Sequence, residues 1–257
     1  MADDKTHGTP RAALITGAGR RIGRVIALAL SRAGYAVVLH AHHSRAEAEK
    51  LAGEMVAAGG RASVVLADLA EPEAVRGLIP AAAAFGPLTL LVNNASQFDE
   101  DEIASLERAR FERTMAVNLA APVFLAQAFA AQAPEGADAS IVNIVDQRVL
   151  KPTPRFFSYT LSKNALASAT VTLAQALAPK LRVNAVAPGP TLPSPRQTAE
   201  QFARQAAAVP LQRGPTPEDI AAAVLYLATA RSVTGTVIAV DGGQHLAWRT
   251  ADSDVAE

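Results

Sequence analysis

The chain has 257 residues, a length that one doubly wound α/β domain often reaches without dividing. Half of its residues are hydrophobic and 19% are charged, which is a globular composition. The 24 basic and 24 acidic residues cancel, so the net charge gives no reason to expect a nucleic acid or an anionic membrane as a partner. The absence of cysteine excludes a disulfide, a thiol nucleophile and a cysteine-ligated metal.

The two ends of the chain differ in composition from the segment between them. Residues 1–10 are polar and carry both charge signs, unlike a secretory signal peptide. No apolar run reaches the roughly 18 residues that a membrane span needs, so we expect a cytoplasmic protein. Residues 1–10 and 251–257 are predicted to be flexible ends of one domain, residues 11–250.

Apolar β-type runs alternate with alanine-rich helical stretches, which is typical of repeated βαβ units. Strands are predicted at Ala12–Thr16, Ala36–His40, Ala62–Leu66, Thr89–Val92, Ser140–Val145, Arg182–Val186 and Val237–Val240. Helices are predicted at Ile22–Ala33, Arg45–Ala58, Pro72–Ala84, Leu106–Ala133, Phe157–Ala178 and Pro217–Ala230. The alternation predicts a single-domain, Rossmann-type, doubly wound sheet of seven parallel strands with helices on both faces.

One segment interrupts this rhythm. Pro188–Pro215 is rich in proline and glycine and contains one possible short helix, Ala199–Ala208. A long insertion of this kind is usually a lid or a binding loop, so residues 190–215 are predicted to cover a substrate. A surface loop stiffened by proline is the alternative.

The first predicted strand runs into a glycine-rich turn, Thr16–Gly23, which a helix follows. Glycine lets the backbone turn tightly and approach a pyrophosphate, which the N-terminus of the helix stabilises. Such a turn is a weak signal alone, but its position after the first strand of a βαβ unit strengthens it. Cofactor contacts are therefore predicted for Gly17, Gly19, Arg20, Arg21 and Ile22.

The end of the second predicted strand indicates which dinucleotide binds. An NAD site commonly places an acidic residue here for the ribose 2′-hydroxyl, and none occurs before Glu47. Cationic and hydroxyl groups that suit a 2′-phosphate are present instead, which favours NADPH. They belong to Arg20, Arg21, His42, His43, Ser44 and Arg45. The histidines lack a carboxylate or cysteine at ligand spacing, so no metal is expected.

Asp68 and Leu69 follow the third predicted strand. The Asp68 carboxylate is placed either to accept a hydrogen bond from the adenine amino group or to cap the next helix. Both residues are predicted to contact the cofactor.

Tyr159 and Lys163 lie four residues apart on a predicted helix, so their side chains emerge on one face. A tyrosine with a reference pKa of about 10 is a poor acid–base group at neutral pH. An ammonium about 4 Å away favours the phenolate by roughly 4 kcal/mol, so Lys163 is expected to lower the pKa of Tyr159. This spacing of tyrosine and lysine is common by itself. It is significant here because the pair follows the fifth predicted strand of a sheet whose first strand leads into a dinucleotide-binding turn.

In combination and in this order, the motifs resemble the short-chain dehydrogenase/reductase family over residues 11–246. They are the Thr16–Gly23 turn, Asp68, Asn93-Asn94-Ala95, Asn118, Tyr159-Thr160-Leu161-Ser162-Lys163, Pro188-Gly189 and Asp241-Gly242-Gly243. The resemblance implies that Tyr159 is the general acid, that Lys163 binds the nicotinamide ribose and that Asn118 holds a water in a proton relay. It also implies cofactor contacts from Asn94, Ala95, Ser96, Pro188, Gly189 and Thr191.

The resemblance further implies a homotetramer, with the Pro217–Ala230 helix and the Val237–Val240 strand near one interface. The tail His245–Arg249 carries the only tryptophan of the chain, Trp248. This side chain either packs across a subunit boundary or is exposed.

Two positions depart from the family's usual pattern. Arg21 stands where a third glycine is usual, and Asp146 stands where a serine usually binds the substrate carbonyl. Both departures are similar to the pteridine reductase branch, as is the stretch Asn94–Phe98. That resemblance implies a pterin-like substrate stacked on Phe98 and contacted by Ser96, Asp146 and Tyr159. For Phe98 the alternative is a core aromatic beneath the following helix.

Asp146 also changes the expected chemistry, because an ionised carboxylate cannot donate to a carbonyl oxygen as serine does. Beside Tyr159 it would oppose Lys163 and raise the pKa of the tyrosine. A tyrosine that holds its proton suits donation to the basic nitrogen of a cyclic imine. The leading hypothesis is therefore NADPH-dependent C=N reduction of a small molecule. A carbonyl reductase that tolerates Asp146 and a dinucleotide-binding regulator without turnover are the alternatives.

Overall fold

A computed structural model of the chain describes residues 11–248, and the seven strands in this range form one parallel sheet. The strands are β1 Ala12–Ile15, β2 Ala36–Ala41, β3 Ala62–Leu66, β4 Leu88–Asn93, β5 Ala139–Ile144, β6 Leu181–Pro188 and β7 Val237–Val240. The α-helices are α1 Arg21–Arg32, α2 Arg45–Ala57, α3 Pro72–Ala83, α4 Arg108–Met115, α5 Ala121–Gln132, α6 Phe157–Leu177, α7 Ala199–Ala207 and α8 Pro217–Thr229. The predicted fold class is confirmed. The predicted flexible ends, 1–10 and 251–257, lie outside the described residues, as does Arg249.

Helices cover both faces of the sheet. Successive side chains of each strand point to opposite sides, and since those on both sides are apolar, both faces have to be buried. On one face, Leu14 of β1 belongs to a buried cluster with Leu125 and Phe129 of α5. On the other face, Ile15 of β1 belongs to a cluster with Ile26 of α1 and Val224 of α8. Burial on both faces explains why the strands are continuous apolar runs rather than alternating ones.

The predicted elements agree with the structure to within two residues at each end, except in one helix. The single helix predicted at Leu106–Ala133 is wrong: α4 ends at Met115, a π-helical turn spans Ala116–Ala120, and α5 begins at Ala121. Periodicity does not reveal one wider turn, because the helix axis continues through it. Turns of this kind often occur at functional sites, and this one contains the buried Asn118.

The stretch Arg108–Gln132 has the length and hydropathy of a membrane-spanning helix. However, 44% of its most apolar window is buried inside the fold, and Leu125 and Phe129 lie in the core. Packing of a core helix against the sheet accounts for this hydropathy.

The sheet has the strand order β3-β2-β1-β4-β5-β6-β7, which changes direction between β1 and β4. At such a point the connections leave the sheet in opposite directions, and ligands bind in the crevice outside the carboxyl ends of the strands. The residues that follow β1, β2, β4, β5 and β6 therefore meet at one edge of the sheet.

Candidate active site

A cleft of about 630 Å³ lies at this edge, a volume typical of a small-molecule site. It brings together the predicted cofactor, substrate and catalytic residues, except for Gly19, Arg45 and Asn118. The predicted residues that line it are Gly17, Arg20, Arg21, Ile22, His42, His43, Ser44, Asp68, Leu69, Asn94, Ala95, Ser96, Phe98, Asp146, Tyr159, Lys163, Pro188, Gly189 and Thr191.

The glycine turn after β1 packs against the end of β4. Thr16 Oγ1 accepts hydrogen bonds from the amides of Asn94, at 2.9 Å, and Ala95, at 3.0 Å. Gly17 has φ +65°, and a Cβ there would come within 2.9 Å of Ala95 Cα. A Cβ on Gly23 would come within 2.3 Å of the Gly17 carbonyl oxygen. These approaches require glycine, and the turn places the first amides of α1 beside the cleft, as a bound phosphate needs.

Arg21 stands at the position of the usual third glycine and has φ +53°, in the left-handed region. This conformation suits glycine, so an arginine adopts it only under constraint from its surroundings. The guanidinium donates to the carbonyls of Pro193, at 2.9 Å, and Leu192, at 3.4 Å. The departure from the family pattern thus connects the dinucleotide turn to the predicted lid.

His40 supports the same turn, and the sequence analysis did not predict it as a site residue. Its Nδ1 accepts a hydrogen bond from the Gly17 amide at 3.1 Å, and its Nε2 lies 3.1 Å from the Ala67 carbonyl oxygen. Burial lowers the pKa of His40 to about 4, so the ring is neutral at pH 7 with its proton on Nε2. A histidine within an apolar strand shows no partner in the sequence, because both of its partners are backbone groups of other elements.

Basic groups gather at the end of β2, as predicted. The rings of His42 and His43 lie with their centroids 3.5 Å apart, and His42 Nε2 lies 3.7 Å from Asp68. Arg20 is exposed, and its nearest carboxylate oxygen, on Glu47, is 3.8 Å away. Within residues 11–248 no group of three histidine, aspartate or glutamate side chains is arranged to hold a metal.

Asp68 binds a second basic residue that the sequence analysis missed. Its carboxylate accepts hydrogen bonds from the Ala70 amide, at 2.9 Å, and from Arg113 of α4, at 3.0 Å. Burial raises the pKa of Asp68, but these two hydrogen bonds together with the charges of Arg113 and His42 outweigh burial and lower it. The capping alternative is wrong for α3, whose N-cap is Glu71. The contact of Arg113 could not be predicted from the sequence, because α4 is distant in the chain from the end of β3 and only the folding of the chain brings the two together.

Tyr159 and Asp146 are in direct contact at the other end of the cleft. The Tyr159 hydroxyl donates to Asp146 Oδ2 at 2.8 Å. The other carboxylate oxygen accepts a hydrogen bond from the Arg148 amide at 2.9 Å, and the Arg148 guanidinium lies 3.5 Å from Oδ2. Burial and the charge and hydrogen bond of Asp146 raise the pKa of Tyr159 well above its ordinary value. The tyrosine therefore keeps its proton.

The expectation that Lys163 lowers the pKa of Tyr159 is wrong. Lys163 Nζ donates to the Ile144 carbonyl at 2.8 Å and lies 5.8 Å from the centre of the tyrosine ring. The carboxylate in contact with the hydroxyl outweighs this more distant ammonium. Burial also lowers the pKa of Lys163 itself to about 8, against the opposing charge of Asp146.

Asn118 lies behind the cleft wall, and its side chain is fully used by protein partners. Its Oδ1 accepts hydrogen bonds from the Gln97 amide, at 2.8 Å, and from the Ser96 hydroxyl, at 3.3 Å. Its Nδ2 donates to the Gln97 carbonyl, at 2.9 Å, and to Ser162 Oγ, at 3.0 Å. The side chain thus fastens the segment after β4 to α6, and a water relay would have to use the backbone carbonyl of Asn118.

Phe98 forms part of the cleft wall rather than of the hydrophobic core. Its ring stacks on Phe156, with centroids 4.4 Å apart, and meets Tyr159 edge to face at 4.6 Å. Two guanidinium groups, of Arg148 and Arg196, lie between 5.2 and 5.5 Å from the centres of the Phe98 and Phe156 rings. Phe156 and both arginines are site residues that were not predicted from the sequence. The only signal for them was their position near Asp146 or in the predicted lid.

The start of α6 is held by Asp101, whose side chain is buried. Its carboxylate accepts hydrogen bonds from the amide and the hydroxyl of Ser158, the residue before Tyr159. A carboxylate at a helix N-terminus is stabilised by the helix dipole. Asp101 thereby positions the first turn of the helix that carries Tyr159 and Lys163.

Comparisons with known proteins agree with this geometry. The family described as enoyl-(acyl carrier protein) reductase matches residues 17–245. The structure of FolM alternative dihydrofolate reductase 1 from Brucella canis, complexed with NADP, is 50% identical, with a TM-score of 0.91 over 95% of this chain and 97% of that one. Pteridine reductase 1 of Leishmania tarentolae is 34% identical over 94% of this chain and 98% of its own. An uncharacterised oxidoreductase of Methylorubrum extorquens is 39% identical over 91% of this chain and 97% of its own.

The chain belongs to the short-chain dehydrogenase/reductase family and is an oxidoreductase of that family. Its similarity to both a pteridine reductase and a FolM reductase confirms the resemblance inferred from Arg21 and Asp146. Membership also favours an enzyme over a dinucleotide-binding regulator without turnover.

The buried His40 gives the fold an acid-sensitive element. Since its pKa falls from 6.5 in the unfolded chain to about 4 in the folded one, the unfolded chain binds the extra proton between these values. The free energy of unfolding is therefore expected to decrease as the pH falls from 6.5 to 4, by up to about 3 kcal/mol from this group. Urea denaturation across this range should show the decrease in the wild type and a smaller one in His40→Asn. His43→Asn, at an exposed position, serves as the control, and parallel curves for all three proteins would contradict the assignment.

Proposed function

We propose that the protein reduces a C=N bond in a dihydropterin-like ring with NADPH as the cofactor. The observation that supports this most strongly is the contact between Tyr159 and Asp146, where a carboxylate takes the place of a hydroxyl donor. A site for ketones benefits from two donors to the carbonyl oxygen, whereas this site offers one donor and one acceptor. An imine nitrogen beside a ring N–H group has the complementary pattern.

NADPH supplies the hydride when it is bound. The Thr16–Gly23 turn and the N-terminus of α1 hold its pyrophosphate. Arg20, His42, His43 and Ser44 hold the 2′-phosphate, and Asp68 and Leu69 lie at the adenine. At the other end Lys163 and the segment Pro188–Thr191 hold the nicotinamide half, with Asn94, Ala95 and Ser96 alongside. The solved FolM and metagenomic relatives are NADP or NADPH complexes, which supports this choice.

Tyr159 delivers the proton that the reduction consumes. Its raised pKa keeps the hydroxyl protonated at neutral pH, so the proton is present when the ring nitrogen gains electron density. The nitrogen takes the proton. The charge of the buried Lys163, 5.8 Å from the centre of the tyrosine ring, stabilises the phenolate that remains, until a proton from the solvent restores the phenol. The Asp146 carboxylate stabilises the site before transfer by accepting a hydrogen bond, and it orients a ring N–H group of the substrate.

Phe98 positions the ring by stacking, and Ser96 contacts its edge. Both line the cleft beside Tyr159. The similarity to a pteridine reductase and to a FolM dihydrofolate reductase supports a ring of this class. The homotetramer, the cytoplasmic location, and the role of the exposed Trp248 at a subunit boundary stay predictions.

Recognition of the 2′-phosphate should depend on Arg20. Arg20→Ala is expected to raise the KM for NADPH about tenfold and the KM for NADH much less, because only NADPH loses a charge-assisted contact. Steady-state kinetics with both cofactors measure this. Arg32→Ala removes an exposed arginine at the far end of α1, the helix that Arg20 precedes, and should change neither KM. If the KM rose equally for NADPH and NADH, Arg20 would not bind the 2′-phosphate.

A substrate panel tests the reaction directly. NADPH oxidation is expected with 7,8-dihydrobiopterin and 7,8-dihydrofolate, and not with simple ketones or aldehydes. Tyr159→Phe should lower the rate by about a hundredfold or more, the usual contribution of a general acid. Faster turnover of ketones than of either pterin would support the carbonyl reductase instead.

Asp146 should control the pH dependence. Its charge raises the pKa values of both Tyr159 and Lys163, so Asp146→Ser lowers both. Reduction needs the protonated phenol, so the alkaline limb of the pH profile of kcat/KM moves to lower pH. The rate on the dihydropterin is expected to fall by about tenfold or more. Glu102→Gln neutralises an exposed carboxylate as the control. If Asp146→Ser kept full activity with an unchanged pH profile of kcat/KM, the role proposed for Asp146 would be wrong.

A further inference from the structure

The lid segment carries a cation that the proposed reduction does not use. Arg196 precedes α7 and lines the cleft, and its side chain donates to the Phe98 carbonyl at 2.9 Å. The guanidinium carbon lies 5.3 Å from the centre of the Phe98 ring and 5.4 Å from that of Phe156. The stacked phenylalanines thus hold this cation beside the position proposed for the substrate ring.

The charges of the cleft are unbalanced. Two carboxylates line it, those of Asp68 and Asp146, and each already has an arginine partner, Arg113 or Arg148. Six lysine and arginine side chains line the same cleft: Arg20, Arg21, Arg113, Arg148, Lys163 and Arg196. The proposed cofactor phosphates account for the excess near the glycine turn, but they do not reach the Phe98 end.

Arg196 differs from Arg148 in how its charge is compensated. Arg148 pairs with Asp146 at 3.5 Å and is largely buried. Arg196 forms no ion pair with any carboxylate in residues 11–248, and its remaining donors are exposed. A planar guanidinium held on an aromatic surface is well suited to bind a carboxylate, because its fork offers two parallel hydrogen bonds.

We propose that Arg196 binds a carboxylate on the part of the substrate that extends beyond the reacting ring. The preferred substrate class is thus a reduced pterin with an anionic substituent, rather than a neutral pterin. This inference rests on the proposed function. Arg196 then selects the substrate, while Tyr159 and Asp146 take part in the proton transfer to the ring nitrogen.

A simpler role for Arg196 is to clamp the lid onto Phe98 through cation–π contact. That role would affect every substrate alike, because the lid closes over the ring in each case. Binding of a carboxylate would affect only substrates that carry one, and added salt would weaken it. The two roles therefore differ in the ratio of activities on a charged and a neutral substrate.

The experiment compares 7,8-dihydrofolate, which ends in a glutamate, with 7,8-dihydrobiopterin, which has no charged tail. For Arg196→Gln the ratio of kcat/KM for dihydrofolate to that for dihydrobiopterin is expected to fall about tenfold, with Arg196→Lys between it and the wild type. Arg204→Gln, an exposed arginine on α7 that does not line the cleft, is the matched control and should leave the ratio unchanged.

The fragment p-aminobenzoylglutamate provides a second measurement that needs no turnover. It should bind the NADP⁺-loaded wild type, and Arg196→Gln should weaken that binding about tenfold. A uniform loss on both substrates, with unchanged fragment binding, would overturn the carboxylate site and leave the C=N reduction standing. If the wild type reduces neither pterin, the proposed function fails, and the fragment alone then decides whether Arg196 binds an anion.

Discussion

The tyrosine hydroxyl and the aspartate carboxylate that meet at 2.8 Å impose conditions on everything around them. A carboxylate at the end of β5 has left most of its water, so it needs compensation, which the amide and guanidinium of Arg148 provide. Burial and this carboxylate together keep the proton on Tyr159, and the carboxylate opposes the lowering of the Lys163 pKa by burial. One residue thereby influences the protonation of both partners on α6, which an uncharged serine in its place would not do.

This arrangement holds because buried polar groups fasten each supporting element. Asn118 uses a π-helical turn to reach the segment after β4 and Ser162 of α6. Asp101 holds the start of α6, and His40 holds the amide of Gly17 from beneath. A buried polar group that lost its partner would cost stability, so each of these contacts resists displacement. The reacting groups are therefore placed by several elements at once rather than by flexible loops.

The cleft has two charged ends, and the segment of residues 190–215, which the sequence predicts to be a lid, contacts both. At the dinucleotide end, basic groups follow β1 and β2, and Arg21 reaches from the glycine turn to the carbonyls of Leu192 and Pro193. At the end that holds Phe98 and Tyr159, Arg196 reaches from the same segment to the carbonyl of Phe98. The same segment is thus tied to both halves of the site by arginine–carbonyl hydrogen bonds.

Local patterns in the sequence determined the seven strands, the glycine turn, the basic end of β2 and the pair Tyr159 and Lys163, because each depends on residues that are close in the chain. The resemblance to the short-chain dehydrogenase/reductase family also predicted that Asp146 lies beside the tyrosine. Only the tertiary structure decided the contacts that join distant segments: Arg113 with Asp68, His40 with Gly17, and Arg196 with Phe98. It also reversed the expected effect of Lys163, since the pKa of a tyrosine depends on distances and burial that helical spacing does not fix. Burial and the carboxylate that touches the hydroxyl raise the pKa of Tyr159, and the more distant ammonium does not reverse this, so the proton stays on the tyrosine.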